Sequence, residues 1–250
     1  MILDKFSLKG KVAIVTGSNT GLGQGICKAY AEAGAYVAGV SRRPSTETAK
    51  ELGDRFYNVI ADLSTCDVID GIVEKTVEKF GRVDILVNNA GIIKRCDSIE
   101  FSQDDWDSVL NVNLKTVFFL TQAVARQFIK QNSGGKIINI ASMLSYQGGI
   151  RVPSYTASKS AIRGVTMTLA NEWAKHKINV NAIAPGYMAT NNTEQLRQDG
   201  ERSADILARI PAGRWGTPED LQGAAVFLAS EASDYVNGFT LAVDGGWLGR

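Results

Sequence analysis

The stretch Lys11-Val-Ala-Ile-Val-Thr-Gly-Ser-Asn-Thr-Gly-Leu-Gly-Gln-Gly25 decides the fold of this chain. An apolar run passes here into a glycine-rich loop, and Leu22, Ile26 and Ala29 then recur at helical spacing. Glycine lets a backbone turn sharply off a strand and approach a pyrophosphate, while a helix N-terminus offers free N–H groups. The spacing G-x-x-x-G-x-G differs from the G-x-G-x-x-G form, and a turn without a ligand is the alternative. Because a strand precedes this loop and a helix follows it, the stretch predicts a nucleotide site.

Outward from the loop, apolar runs alternate with helical patterns to the end of the chain. Strands are predicted at 11–16, 35–40, 56–61, 83–87, 136–141, 178–183 and 239–243. Helices are predicted at 22–33, 44–52, 66–80, 103–130, 154–175 and 218–229. With right-handed crossovers, this order predicts an α/β fold. We expect residues 1–250 to form a single doubly wound Rossmann-type domain, with a seven-stranded, mostly parallel sheet and helices on both faces.

Residues 187–217 interrupt this alternation and are rich in polar groups. A long connection of this kind between the sixth strand and the last helix is interpreted as a substrate lid. An ordered surface excursion without a role in binding is the alternative.

Composition removes several classes of function. The net charge is +1 with no basic run, which argues against nucleic acid, and no apolar stretch has the length of a membrane span. The N-terminus lacks the pattern of a signal peptide, and the three dispersed cysteines form neither a disulfide framework nor a metal spacing. The only histidine, His176, cannot build a multi-histidine zinc site or a nucleophilic triad. A cytoplasmic protein without a metal, whose chemistry rests on other side chains and a cofactor, is expected.

The segment Pro153-Ser-Tyr-Thr-Ala-Ser-Lys159 supplies such side chains. Tyr155 and Lys159 lie four residues apart, which brings them onto one face of a helix. An ammonium beside a phenol stabilises the phenolate and lowers the pKa of the phenol, so Tyr155 is a candidate general acid or base. Ser142, which follows the fifth strand, is a candidate donor to a substrate oxygen. Taken alone, tyrosine and lysine at this spacing are more often a core contact and a solvated charge.

The order of the elements brings these residues together. Ligands of an open α/β sheet bind beyond the carboxyl ends of its strands. Ser142 follows the fifth strand, Asn88-Asn-Ala-Gly91 the fourth and Pro185-Gly186 the sixth. All three therefore lie at the edge that carries the glycine loop, and Tyr155 follows Ser142 closely enough to reach it.

The same motifs carry a resemblance to a known family. T-G-x-x-x-G-x-G, N-N-A-G, a serine after the fifth strand, Y-x-x-x-K, P-G and a terminal D-G-G follow one another from about Phe6 to Arg250. In this order they resemble the short-chain dehydrogenase/reductase family, whose members transfer a hydride to or from a nicotinamide cofactor. The stretches Gly134–Lys159 and Asn171–Thr193 are similar, within that family, to dehydrogenases that act on sugar acids.

The resemblance assigns roles to individual positions. Tyr155 would exchange a proton with the substrate oxygen, Lys159 would lower its pKa and hold the nicotinamide ribose, and Ser142 would bond the same oxygen. Asn113 would anchor a water of a proton relay, with a locally bonded, helix-bending amide as the alternative. The resemblance further implies a cofactor site made of Gly17, Asn19, Thr20, Gly21, Leu22, Gly23, Ser41, Arg42, Asp62, Leu63, Asn89, Ala90, Gly91, Tyr155, Lys159, Pro185, Gly186, Met188 and Thr190. Asp62 would contact adenine or, alternatively, cap the next helix.

NAD and NADP remain open alternatives for the cofactor. An acidic residue after the second strand would bond the ribose 2′-hydroxyl, whereas an arginine can pair with a 2′-phosphate. Ser41 stands at the acidic position and Arg42 follows it, which favours NADP. Three points argue for NAD instead. The glycine loop has Thr20 where a second basic residue would support NADP, and the sugar-acid enzymes that the chain resembles mostly use NAD. An arginine can also stack on adenine without binding a 2′-phosphate.

The expected substrate is a small sugar acid with a secondary alcohol or ketone. Its carboxylate needs a cation, and Lys94, Arg95 and Arg151 flank the predicted site, although surface loops also carry charges without function. Hydroxyl contacts are expected from Gln147, Tyr187 and Asn192, and Trp215 either closes the lid or packs it. A keto-deoxygluconate or deoxygluconate is favoured, with gluconate or a 3-oxoacyl thioester as the alternatives. The alternative from a different class of function is a non-catalytic, nucleotide-sensing protein with the same fold.

The assembly is expected to be a homotetramer, as in members of the family. The helices 103–130 and 154–175 and the C-terminal stretch 239–248 carry more apolar surface than one sheet face needs.

Overall fold

In the computed structural model, which describes all 250 residues, seven parallel strands form one sheet in the order β3-β2-β1-β4-β5-β6-β7. The strands are β1 Val12–Thr16, β2 Tyr36–Ser41, β3 Phe56–Ile60, β4 Ile85–Asn88, β5 Gly135–Ile140, β6 Ile178–Pro185 and β7 Thr240–Val243. Each of the seven predicted strands is present, with ends shifted by at most two residues. The sheet is parallel throughout, so the prediction of a doubly wound fold is confirmed.

Helices connect the strands and cover both faces of the sheet. They are α1 Gly21–Glu32, α2 Thr46–Leu52, α3 Ile69–Phe80, α4 Gln103–Leu110, α5 Thr116–Gln131, α6 Pro153–Trp173, α7 Glu194–Gln198, α8 Gly200–Arg209 and α9 Pro218–Ala229. None of them has the length and apolar character needed to cross a lipid bilayer.

The period of two along the strands divides the core between the two faces. In β1, Ala13 and Val15 join the core that contains Tyr30 of α1 and Leu221 of α9. Ile14 points the other way, into a second core formed with α3, α5 and α6. Strands buried on both faces are continuous apolar runs, and this is why the runs could be recognised in the sequence.

One predicted helix is interrupted. The range 103–130 was expected to be a single helix, but α4 and α5 are separated by a π-helical segment, Asn111–Lys115. The side-chain amide of Asn113 leaves the helix to bond the backbone of Ile92, and the extra residue of a π turn accommodates that contact. The interruption therefore has a physical cause at one residue.

The segment 187–217 lies beyond the carboxyl end of β6 and contains α7 and α8, which the sequence did not predict. Its two ends are held together, since Ala189 N–H donates to Gly216 O at 2.7 Å and Gly216 N–H to Tyr187 O at 2.9 Å. The segment is thus a folded excursion with a fixed base.

Candidate active site

The loop between β1 and α1 is built for a close approach of the backbone. A Cβ at Gly23 would lie 2.1 Å from Gly17 O, and one at Gly17 would lie 2.7 Å from the amide nitrogen of Asn89. Gly17 also has a φ of +70°, which favours glycine. Side chains at these two positions would fill the hollow in front of the N-terminus of α1.

Thr16 joins this loop to the one after β4. Its hydroxyl accepts hydrogen bonds from Asn89 N–H at 3.0 Å and Ala90 N–H at 2.9 Å. The side chain of Asn89 returns a bond to Thr16 O at 2.8 Å. Thr16 was not among the site residues predicted from the sequence, although it is the threonine that opens the T-G-x-x-x-G-x-G motif.

A long cleft runs along this edge of the sheet, and its inner part has a volume of ≈ 280 Å³. The inner part is lined by Gly17, Asn19, Thr20, Gly21, Leu22, Asn89, Ala90, Gly91, Ile140, Ala141, Ser142, Tyr155, Lys159, Pro185, Gly186, Met188, Thr190, Asn191, Asn192 and Thr193. The outer part adds Val40, Ser41, Arg42, Ala61, Asp62, Leu63 and Ser64, and the two parts share Gly17, Asn19, Ala90 and Gly91. The cleft therefore fits an extended dinucleotide, with a glycine cradle at its middle.

Ser142, Tyr155 and Lys159 meet at the inner end of the cleft. Ser142 directly follows the end of β5, and its hydroxyl accepts from Leu144 N–H at 3.1 Å. Tyr155 is on the first turn of α6, which begins at Pro153, and lines the same part of the cleft as Ser142. Lys159, one turn further, is buried. A proton donor or acceptor and a second hydroxyl are thus presented to one point of the cleft.

The acidity of the phenol differs from the expectation. Burial raises the pKa of Tyr155 above its usual value of 10, while the nearby Ser142 hydroxyl and the positive charge of Arg95 lower it in part. Lys159 was expected to supply the lowering charge. Its ammonium instead lies 5.6 Å from the centre of the phenol ring and donates to Ile140 O at 2.6 Å. In this structure burial has the largest effect on the pKa of the phenol, and a lowering of that pKa by Lys159 stays a prediction.

Asn113 is placed beside this group, with its amide already occupied. Its Oδ1 accepts from Ile92 N–H at 2.8 Å, and its Nδ2 donates to Ile92 O at 2.9 Å and to Ser158 Oγ at 3.3 Å. Of the alternative, the local bonding is wrong, because Ile92 is 21 residues away, whereas the distortion of the helix at this amide is present. The side chain clamps the loop after β4, and its place in a water relay stays a prediction.

The three predicted substrate cations are in different situations. Lys94 pairs with Asp105 at 3.0 Å, and Arg151 pairs with Asp97 at 2.8 Å. Arg95 has no carboxylate partner, and its Nη2 donates to Asn192 O at 3.1 Å. Of the three, Arg95 alone is free of a carboxylate, and its positive charge lowers the pKa of the Tyr155 phenol.

At the outer end of the cleft, some of the residues predicted to contact the adenosine already form hydrogen bonds within the protein. The buried hydroxyl of Ser41 donates to Arg43 O at 2.6 Å, so it is committed to the protein. Arg42 is exposed, lines the cleft and forms no ion pair shorter than 4 Å. Asp62 also lines the cleft, and its Oδ1 accepts a hydrogen bond from Ser64 N–H at 3.0 Å. Because Asp62 lies seven residues before the start of α3, it does not cap that helix.

In the segment 187–217, Met188, Thr190 and Asn192 line the cleft, and a Cβ at Gly21 would lie 3.5 Å from Thr190 Cγ2. Tyr187 points elsewhere: its ring packs edge-on against Trp215 at 5.4 Å and Trp247 at 4.9 Å. Of the two possible roles of Trp215, the structure shows packing. Tyr187 and Gln147 do not line the inner part of the cleft, so their contacts with substrate hydroxyls remain predictions.

Known proteins share this architecture over the whole chain. A family model described as enoyl-(acyl carrier protein) reductase matches residues 17–248. The 2-dehydro-3-deoxy-D-gluconate 5-dehydrogenase of Dickeya dadantii is 66% identical over 253 residues, with 100% of both chains covered.

Two solved structures are similar as well. One is a candidate 2-deoxy-D-gluconate 3-dehydrogenase of Agrobacterium tumefaciens with bound NADP, which is 54% identical with a TM-score of 0.93 and covers 98% of this chain and 99% of its own. The other is a gluconate 5-dehydrogenase of Burkholderia cenocepacia in complex with NADP and tartrate, which is 39% identical with a TM-score of 0.94 and full coverage of both chains.

Proposed function

Since the chain belongs to the short-chain dehydrogenase/reductase family, we propose that it oxidises or reduces a secondary alcohol or ketone of a sugar acid. The favoured substrates are 2-dehydro-3-deoxy-D-gluconate, at C5, and 2-deoxy-D-gluconate, at C3. The nicotinamide cofactor of this family, NAD or NADP, supplies or accepts the hydride when it is bound.

One observation carries the proposal. Ser142, Tyr155 and Lys159 line the inner end of a glycine-lined cleft together, and the Ser142 hydroxyl and the charge of Arg95 both lower the pKa of the Tyr155 phenol. A non-catalytic nucleotide sensor would need the cleft but not this proton-transferring pair. The pair therefore supports an enzyme.

Each residue of the group has a distinct part in the proposed reaction. Tyr155 takes the proton of the substrate hydroxyl in oxidation and returns it in reduction, which makes it the general base or acid. Ser142 donates a hydrogen bond to the same oxygen and holds it beside the phenol. Lys159 binds the ribose of the cofactor, and the Asn113 amide keeps the loop at Gly91 in place beside them.

The substrate carboxylate is assigned to Arg95. A guanidinium has five N–H donors, and the bond to Asn192 O uses one of them. The others are available for a carboxylate, whereas Lys94 and Arg151 already hold Asp105 and Asp97. A sugar acid is thus the substrate class that this edge of the cleft suits.

The segment 187–217 is proposed to be the substrate lid. Its base is fixed by the bonds between Tyr187, Ala189 and Gly216, while Thr190 and Asn192 form a wall of the cleft. Ile206 of α8 packs in an apolar cluster with Met143 and Trp247, so opening and closing of the lid would move this contact.

We further propose a homotetramer in the cytoplasm. Phe119 of α5 is more than a third exposed and lines a groove together with Leu110, Leu114, Phe118 and Val165, and Trp106 of α4 is exposed to a similar extent. An apolar surface of this kind is suited to a second copy of the chain. The cysteines are all unpaired, which fits a reducing compartment.

The test is an assay of the purified protein with both cofactors against 2-dehydro-3-deoxygluconate, 2-deoxygluconate and gluconate. Turnover of at least one sugar acid, with a lower KM than for neutral sugars, supports the proposal. No turnover of any sugar acid together with strong reduction of 3-oxoacyl thioesters would reassign the protein as an acyl reductase. No turnover of either class, with the cofactor still bound, would favour the sensor.

A further inference from the structure

Three buried serine hydroxyls lie between the glycine loop and the turn that carries Arg42. Ser18 Oγ is 2.9 Å from Ser45 Oγ, and Ser45 Oγ is 3.2 Å from Ser41 Oγ. All three residues are at least nine-tenths buried. None of these contacts is used by the proposed proton chemistry.

The direction of this chain of hydrogen bonds follows from its end. The Ser41 hydroxyl donates to Arg43 O at 2.6 Å, so toward Ser45 it can only accept. Ser45 therefore donates to Ser41, and Ser18 donates to Ser45, because each hydroxyl has one proton. One continuous chain thus runs from the residue after Gly17 to the carbonyl of Arg43.

The turn at 42–45 is also fixed from its other side. Ser45 N–H donates to the Asn58 side chain of β3 at 2.8 Å. Within the first turn of α2, the Thr48 hydroxyl donates to Ser18 O at 3.0 Å. The packing leaves room for Ser18 only because β2 has a glycine beside it: a Cβ at Gly39 would lie 2.6 Å from Ser18 Oγ.

This arrangement joins the two segments that frame the outer part of the cleft. The glycine loop cradles phosphates, while Arg42 lines the cleft where the 2′-position of an adenosine ribose would lie. No carboxylate lies within 4 Å of the Arg42 guanidinium, which lines the cleft, so the guanidinium is free to pair with a phosphate. How well it does so depends on where the backbone of its turn is held.

We propose that Ser45 is a positioning residue for cofactor selection, because its hydroxyl holds the turn that carries Arg42 in a fixed place beside the glycine loop. With the hydroxyl present, Arg42 meets a 2′-phosphate and the protein selects NADP over NAD. Ser45 acts through Arg42 and touches neither the substrate nor the reactive part of the cofactor. The inference does not depend on which substrate is reduced or oxidised.

The test compares the Kd of NADP with that of NAD for Ser45→Ala, measured by calorimetry on the unreacted protein. The selectivity, which is the Kd of NAD divided by the Kd of NADP, is expected to fall about fivefold or more, since bonds to charged groups are sensitive to position. The matched control is Ser233→Ala, which removes another fully buried serine hydroxyl, bonded to Leu228 O and Ser230 O after α9. It should lower the melting temperature by a similar amount and leave the selectivity unchanged.

A double-mutant cycle with Arg42→Ala separates positioning from a general loss of structure. If Ser45 acts through Arg42, then Ser45→Ala should not change the selectivity further when Arg42 is already absent. Equal weakening of NAD and NADP by Ser45→Ala, an unchanged selectivity, or an effect that persists in the Arg42→Ala protein would overturn the inference. A wild-type protein that binds 2′,5′-ADP no more tightly than 5′-ADP would also overturn it, and that result leaves the sugar-acid assignment untouched.

Discussion

The ammonium of Lys159 donates a hydrogen bond of 2.6 Å to the backbone carbonyl of Ile140, inside the protein between α6 and the end of β5. Burial lowers the pKa of this lysine from 10.5 to about 8. The carbonyl compensates only part of the hydration that the ammonium loses. The buried ammonium of Lys159 therefore lowers the free energy of unfolding of the protein.

This cost predicts a dependence of stability on pH. Below about pH 8 both the folded and the unfolded chain carry the ammonium, so the folded state bears the full cost. Between about pH 8 and 10.5 the folded chain releases the proton while the unfolded chain keeps it, so stability rises with pH. Relative to Lys159→Met, the unfolding free energy of the wild type should rise by about 3 kcal/mol over that window. Urea unfolding at pH 7, 8, 9 and 10 measures it, and a constant difference between the two proteins would contradict the prediction.

Tyr155→Phe should reduce kcat by about 10²–10⁴-fold, because only the exchangeable proton is removed. The Kd of the cofactor should stay within twofold, since the ring remains and the glycine cradle is unchanged. Steady-state assays and calorimetry on the same preparation measure the two quantities. If Tyr155→Phe kept near-normal turnover, the assignment of the general acid and base would be wrong.

Ser142→Ala should move the pH profile of oxidation. The Ser142 hydroxyl lowers the pKa of the half-buried Tyr155 phenol, so removal of that hydroxyl raises the pKa further. Oxidation requires the phenolate as base, and the rising limb of kcat against pH should shift to higher pH, with the greatest loss of activity at low pH. Ser160→Ala, which removes an exposed hydroxyl bonded to Leu144 O at 3.3 Å, is the control and should leave the limb in place. An unshifted limb in Ser142→Ala would mean that Ser142 does not tune the phenol.

Gly23→Ala should damage the cofactor site. The added methyl would lie 2.1 Å from Gly17 O and 2.5 Å from Asn89 Nδ2, so both loops must shift. We expect a loss of stability of about 1–3 kcal/mol and weakening of cofactor binding by at least about tenfold. Gly71→Ala in α3 is the control, because its methyl meets nothing within 4 Å. That change should stabilise the protein by about 0.5–1 kcal/mol and leave binding unaltered.

The fold could be predicted from the sequence because each buried strand is a continuous apolar run between turn residues. The glycine loop and the Tyr155–Lys159 pair were found for a related reason: their spacing is local and matches one element each. The π turn at Asn113 could not be found, since it depends on a hydrogen bond to Ile92, 21 residues away. The serine chain could not be found either, because Ser18 and Ser45 are brought together only by the packing of β2 against the glycine loop.

The ion-pair partners of the predicted substrate-binding cations could not be predicted from the sequence either. Lys94, Arg95 and Arg151 are indistinguishable as charges near a motif, and only the positions of Asp105 and Asp97 show which of them are paired. In the same way, a carbonyl such as Ile140 O carries no signal in the sequence, although it holds Lys159.

Arg95→Ala should raise KM for the sugar acid by about 10–100-fold, the range expected when a hydrogen-bonded charge is removed. Its positive charge also lowers the pKa of Tyr155, so the rising limb of oxidation should shift to higher pH, in the same direction as in Ser142→Ala. The matched control is Arg151→Ala, because the Arg151 guanidinium is already paired with Asp97 at 2.8 Å. This variant should change KM by less than about twofold.

Both variants are assayed against the acid and against its uncharged lactone or amide. Arg95 should lose its effect on KM with the uncharged compound, because no carboxylate remains to be bound. An equal rise in KM for charged and uncharged substrates would show that Arg95 supports the lid through Asn192 and does not bind the carboxylate.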